Sequence, residues 1–305
     1  MTLAYLPRLL CIALAAFVLI HLALATAVLL VARRAVRLAD RWRPRAAARA
    51  MFTLRLLPAV CAATIVLLAC VPSYFRLEPE TAAEHVGYVC LAAALLGLGL
   101  WARSLRRGLR AVADSRRFLE AQKSAPLLAL AGIIRPRLVI SHHVVSALTP
   151  EQLAVALRHE RAHWTARDNL KRLCILLAPP GVPFSRDGET LERAWRKYAE
   201  WAADDRAVGG SERRSMALAE ALVRIARMTP GPPPSPLAVS LLGDDQQFAA
   251  RVERLLRAPS AEDTPCRRLT LPLSAALVIA CALVALLLQP ATLYAVHVLL
   301  ERLIE

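Results

Sequence analysis

The sequence predicts a mainly α-helical, multi-pass membrane protein with about four spanning helices and one cytosolic domain between the third and the fourth. Three observations carry this expectation. The 305-residue chain is 57% hydrophobic and has a mean hydropathy of +0.43, more apolar than a soluble domain of that length. The excess is gathered into long runs. The basic residues lie on one side of those runs.

Residues 9–32 are apolar apart from His21 and Thr26, and further runs cover 56–72, 86–102 and 269–289. A spanning helix needs about 17–25 such residues, so the second and third are at the short end. Pro58 and Pro272 are expected near helix starts, where proline does least harm. The apolar core of the first run is too long for a signal peptide, and Arg33 and Arg34 close it from behind. It is read as a helix that is retained.

A net charge of +15 raises nucleic acid as a partner, but its distribution favours a bilayer. Arginines from Arg33 to Arg55 crowd between the first two runs, whereas Arg76 is outnumbered by Glu78, Glu80 and Glu84 between the second and third. Arg103, Arg106, Arg107 and Arg110 follow the third run, and Arg267 and Arg268 precede the fourth. Basic loops stay in the cytosol. The expectation is therefore a cell-membrane protein with both termini outside and 33–55 and 103–268 inside. Its first loop faces anionic lipid heads, and no nucleic acid is expected. The regions are 1–103, a three-helix membrane part; 104–268, the cytosolic domain; 269–289, the fourth spanning helix; and 290–305, a short external tail. Five of the seven cysteines sit in apolar runs, and no pair has zinc-ligand spacing, so no disulfide framework is implied.

Within the cytosolic part, 104–123 reads as a basic helix continuing from the membrane. "IIRPRLVIS" (133–141) reads as a short strand, with Pro136 marking its start or an edge. In "TPEQLAVALRHERAHW", Thr149 is an N-cap, Pro150 fits the first helical position and Gln152 closes a capping box. That helix is expected to run from Pro150 to about Leu176. "LAPPGVPF" (177–184) is read as capping the core in preference to dipping into the membrane interface. A helix over 189–207 carries Leu191, Ala194, Trp195, Tyr198 and Ala202 on one face, and stops at Gly209-Gly210. Another starts at Ser211, and "TPGPPPSP" (229–236) is a stiff linker. The last cytosolic helix carries Phe248, Val252, Leu255 and Leu256 on one face.

His159 and His163 are four residues apart, so both imidazoles leave one face of the helix. Zinc takes neutral imidazole nitrogens, and two at this spacing can share an ion. Glu160 lies beside the first histidine, where a carboxylate can serve as general base toward a water; this is the HExxH arrangement. The pattern arises by chance in about one such sequence in a hundred. A third ligand is needed. Glu200 in "EWAADD" can supply a carboxylate oxygen, and Asp204, four residues on, can accept a hydrogen bond from the far nitrogen of a ligand histidine. The plain alternative for Glu200 is an exposed carboxylate paired with Arg196 or Lys197. For Asp168 it is a helix salt bridge with Lys171 or Arg172. His142 and His143 read as loop residues in preference to oxyanion donors, His21 as a helix–helix hydrogen bond, and His85 and His297 as interfacial.

"HERAHWTARDNL" followed by "EWAADDRAV" resembles the HExxH and ExxAD elements of membrane gluzincins, most closely the BlaR/MecR-type sensor metallopeptidases. "GIIRPRLVIS" is similar to that family's glycine–proline–strand element. More distantly the chain is similar to the HtpX and CAAX-prenyl-protease group. The resemblance covers about residues 125–257 and implies a zincin-like α+β peptidase domain. It implies one zinc ion held by His159, His163 and Glu200, Glu160 as catalytic base, Asp204 behind a ligand histidine and Asp168 bracing the active helix. It also implies a protein or peptide substrate, such as a cytosolic repressor. Residues 290–305 are too few for the penicillin-binding domain of the antibiotic sensors. The expected function is a membrane zinc endopeptidase. The alternative is a non-catalytic membrane transducer that keeps zinc as a structural element.

Overall fold

A computed structural model describes residues 5–78, 86–120, 128–132, 137–181, 187–228, 239–240, 245–257 and 286–304. These residues are mainly helical. Three helices are long and apolar enough to cross a membrane: Tyr5–Ala39, Pro44–Leu77 and Tyr88–Arg117. The fourth expected span, 269–289, lies outside the described residues except for its last four, as does the linker 229–236.

Helix α1 is Tyr5–Ala39. The second span is α2, Pro44–Ile65, followed by one π-helical turn, Val66–Cys70, and α3, Val71–Leu77. Pro58 is therefore inside α2 and not near its start. The helix begins at Pro44, where proline's missing N–H costs nothing, and takes in the basic loop ahead of the apolar run. Helix α4, Tyr88–Glu120, joins the third run and the basic segment in one element, as expected. Large apolar side chains such as Leu10, Leu30, Leu67, Val89 and Leu98 point outward from these helices, a surface suited to lipid.

At one end of the bundle Ile12, Phe17, Tyr74 and Cys90 pack together. Gly97 marks the closest approach of α4 to α1: a Cβ there would lie 2.8 Å from Val18 Cγ2 and 3.1 Å from the Leu14 carbonyl oxygen. At the other end a second core joins these helices to the region that follows α4. Val28, Ala32 and Met51 of α1 and α2 pack with Ile175, Leu191, Trp195 and Tyr198.

Strands β1, Leu128–Ala131, β2, Arg137–Ile140, and β3, Val239–Ser240, form a small antiparallel sheet in the order β2-β1-β3. A short helix α5, His142–Ala147, follows and carries His142 and His143 exposed at its start. Helix α6 is Pro150–Ala166, with the expected capping box at Thr149 and Gln152. It is not continuous to Leu176. Arg167 takes the left-handed conformation (φ 56°), and α7 restarts at Asp168–Leu177. The break turns the Asp168 carboxylate back toward α6, where a straight helix would carry it away. Helices α8, Asp187–Val208, and α9, Glu212–Met228, lie close to their expected bounds. Helix α10 is Asp245–Leu256. The 290–305 tail is a helix, α11, Pro290–Ile304, with Leu293 and Leu300 buried.

The Ala178–Gly181 turn after α7 is seated among the membrane helices. The His21 ring Nε2–H donates to the Pro180 carbonyl at 2.9 Å, Arg107 donates to that of Ala178 at 3.2 Å, and Arg55 lies 3.4 Å from that of Pro179. His21 thus bonds to the turn after α7, with the Pro58 backbone of the neighbouring helix α2 also close to its ring. The turn has to satisfy its carbonyls where water is scarce, and three membrane helices supply the donors.

The α1–α4 contact gives a first prediction. Gly97→Leu should force the two helices apart, at a cost of about 1–3 kcal/mol for overpacking. Thermal unfolding of the detergent-solubilised chain should show a lower midpoint; an unchanged midpoint would mean that the helices do not approach this closely.

Candidate metal centre

The site forms where α6 crosses α8, with α7 and α10 closing it. His159, Glu160 and His163 of α6 are buried, although a helix interior of alanine and valine would cost less. The two Nε2 atoms lie 3.1 Å apart. Glu200 reaches them from α8: its carboxylate is 3.5 Å from His159 Nε2 and 3.6 Å from His163 Nε2. Donors on a tetrahedron around zinc are ~3.4 Å apart for bonds of 2.0–2.2 Å. The three side chains can therefore hold a metal ion.

The far nitrogens are committed elsewhere. His159 Nδ1 lies 2.9 Å from Asp204 Oδ1, and His163 Nδ1 lies 2.8 Å from Asp168 Oδ2. His163 Nδ1–H donates to Asp168 and His159 Nδ1 is in ion-pair contact with Asp204, which leaves each Nε2 lone pair facing the other. Two lone pairs so close repel unless a proton or a cation lies between them. A metal ion fits this donor set without rearrangement.

The electrostatics agree. Burial lowers the basicity of His163, but the charges of Glu200 and Asp168 outweigh it and push its pKa up to about 10. His159 is raised in the same way, against burial, by Asp204 and Glu200. Burial pushes the Glu160 carboxyl up to about 7, against the pull of both histidines. Neither Glu160 oxygen has a hydrogen-bond partner among the described residues, although both are fully buried. Glu200 stays well below the usual carboxylate range: burial works the other way, but Arg251 and His163 prevail.

The structure brings together His159, Glu160, His163, Glu200, Asp204 and Asp168. The plain alternative for Glu200 does not hold, since Arg196 pairs with Glu192 and Lys197 with Asp40. Asp168 does both of the things considered for it: it accepts from His163, and from Lys171 Nζ at 3.0 Å. The neighbouring Asn169 donates to the Gly132 carbonyl at 2.8 Å, tying the sheet to this corner.

Arg251 was not anticipated. It is fully buried in α10, with Nε 2.9 Å and Nη2 2.8 Å from the two Asp204 oxygens and Nη1 2.9 Å from Glu200 Oε2. Its signal was present in the sequence: Phe248, Arg251, Val252 and Leu255 follow the i, i+3, i+4, i+7 rule, so an arginine interrupts the apolar face. Leu256, assigned to that face, is exposed instead.

Arg251 compensates two buried carboxylates. Arg251→Met should leave both without it and cost on the order of 3–5 kcal/mol, read as a lower midpoint of thermal unfolding. Arg251→Lys should recover only part, because one ammonium cannot replace the fork. Equal midpoints for the wild type and the methionine variant would refute the assignment.

The chain matches no protein-family model, no curated protein and no solved structure.

Proposed function

We propose that the protein is an integral membrane zinc-dependent endopeptidase with a zincin-like cytosolic domain of the BlaR/MecR type, which cleaves a protein or peptide such as a cytosolic repressor. The observation that carries the proposal is the pair of buried imidazoles whose Nε2 atoms face each other at 3.1 Å while both Nδ1 atoms are held by carboxylates. His159, His163 and Glu200 would hold the ion. Bound zinc supplies Lewis acidity, lowering the pKa of water to about 7 and polarising a carbonyl.

The chain's own residues divide the remaining work. Asp204 and Asp168 fix the tautomer and orientation of the two imidazoles. Glu160 takes the proton from the attacking water and returns it to the leaving nitrogen. Burial raises the Glu160 carboxyl above the usual carboxylate range, which favours a group that can both take up and return a proton. The buried and unpartnered oxygens of Glu160 support this role over that of a purely structural zinc, which needs no base. Strand β2 is at the edge of the described sheet, and an extended substrate peptide can add beside it.

The loop between α1 and α2 and the candidate site share one end of the bundle, since Asp40 accepts from Lys197 and Tyr198 of α8, both at 2.8 Å. Under the arginine bias that end is cytosolic. Reporter fusions at Arg41 and Glu160 should therefore report the cytosol, and fusions at Glu80 and the C-terminus the other side. A cytosolic C-terminus would remove one of the proposed crossings.

Enzyme and transducer separate at Glu160. Glu160→Gln should keep zinc, because the base is not a ligand, while cleavage falls by about 10²–10⁴-fold. His163→Ala should lose zinc as well. The measurements are elemental analysis of the purified chains and a comparison of cleaved proteins in cells carrying each. The same cleavage in wild type and Glu160→Gln at equal zinc content would exclude the mechanism. An intact cellular signal with cleavage in neither would favour the transducer.

A further inference from the structure

A second cluster of donors lies at the other end of α1. Arg8, in the first turns of α1, is fully buried and its Nη2 contacts Glu78 Oε1 at 2.7 Å, while its Nε donates to the Tyr74 hydroxyl at 2.7 Å. Tyr74 in turn donates to the Tyr5 carbonyl at 3.2 Å. The Glu78 carboxylate, just past the end of α3, is thus held in one orientation. Its second oxygen lies 3.9 Å from His297 Nε2 of α11, which is 3.2 Å from Glu301 Oε1, one helical turn on.

The arrangement has the same logic as the first centre. Two donors four residues apart leave one face of a helix, and a carboxylate held by a buried arginine comes from a different element. One donor atom from each of Glu78, His297 and Glu301 lies within 4.8 Å of the others. Two carboxylates this close repel, and a cation between them relieves that repulsion. One imidazole and two carboxylates are a donor set for a divalent first-row metal. The side chains of His297 and Glu301 are 12% and 49% exposed, so an ion can enter from solvent. Ser73 donates to the Leu293 carbonyl at 2.7 Å and already seats α11 against α3. The ion would add a tie between the chain's last helix and its second span.

We propose that Glu78, His297 and Glu301 form a second divalent-metal site. Arg8 and Asp40 lie at opposite ends of α1, ~48 Å apart at 1.5 Å per residue. The second site is thus on the opposite face of the bundle from the His159–His163 centre. The half-exposed ligand and the shared Glu78 make it the weaker and more readily exchanged of the two.

The test uses the full, tag-free chain in detergent, with Zn2+ as probe and uptake followed by equilibrium dialysis and elemental analysis. Wild type should take up a second, exchangeable zinc beyond the one it retains. His297→Ala should weaken that uptake by more than about 100-fold, since even an outer partner of a ligand is worth about 10–100-fold. Glu301→Gln changes a half-exposed side chain and cannot unfold the bundle; it should weaken uptake at least about tenfold. A chain carrying both His159→Ala and His163→Ala should still bind the second zinc. Failure of that chain to lose the retained zinc would count against the first centre alone. Second-zinc uptake unchanged in both His297→Ala and Glu301→Gln, or no second zinc in the wild type, would overturn the proposal.

Discussion

Two imidazole nitrogens that face each other in a buried pocket are the constraint on which the arrangement of α6, α7, α8 and α10 depends. Their separation is set by one turn of α6. Their orientation is set by partners from elsewhere: Asp204 on α8 and Asp168 at the start of α7. Neither aspartate could stay ionised in an apolar interior alone. Arg251 neutralises Asp204 and Glu200 from α10, and Lys171 stands beside Asp168. The burial of Asp168, Glu200 and Asp204 is tolerable only as a set in which each has a cationic partner; Glu160 stands outside that set, with no hydrogen-bond partner among the described residues. Helices α6, α7, α8 and α10 are therefore placed by the same electrostatic requirement that shapes the pocket.

Much of this was legible in the sequence because it obeys helical spacing. His159 with His163, and Glu200 with Asp204, are both pairs four residues apart, and each pair leaves its helix on one face. The capping box at Thr149 fixed the start of α6. The three long membrane helices followed from length and hydropathy. Less legible were features whose cause is tertiary. Arg167 has nothing that marks a left-handed residue, since that conformation is common only for glycine, asparagine and aspartate; the break after α6 therefore went unseen. Strand β1, "LALA", has no β-branched residue and reads as helix or as nothing. Arg251 could be read only as a fault in an otherwise apolar stripe. Its two partners lie 51 and 47 residues earlier in the chain, and no local rule connects them.

The fate of polar groups among the membrane helices shows the same division. His21 was notable in sequence because a polar group in an apolar run is costly. Its partner was not readable, for it is the carbonyl of Pro180, contributed by a turn 159 residues away. Arg55 and Arg107 looked like ordinary members of basic clusters. Both instead point at carbonyls of that same turn.

That turn has a consequence for what counts as a domain here. Helix α7 begins at the brace of His163 and ends among α1, α2 and α4. Its Ile175, together with Leu191, Trp195 and Tyr198 of α8, completes a core whose other half is made by Val28, Ala32 and Met51. A chain cut at residue 104 would carry half of that core into water, along with carbonyls whose donors had been left behind. The segment that holds the candidate metal centre is thus not a module tethered only by its ends. Its interior is shared with the apolar helices, and any tilt or slide of α1 against α2 is felt directly at the foot of the helix whose first residue, Asp168, braces His163.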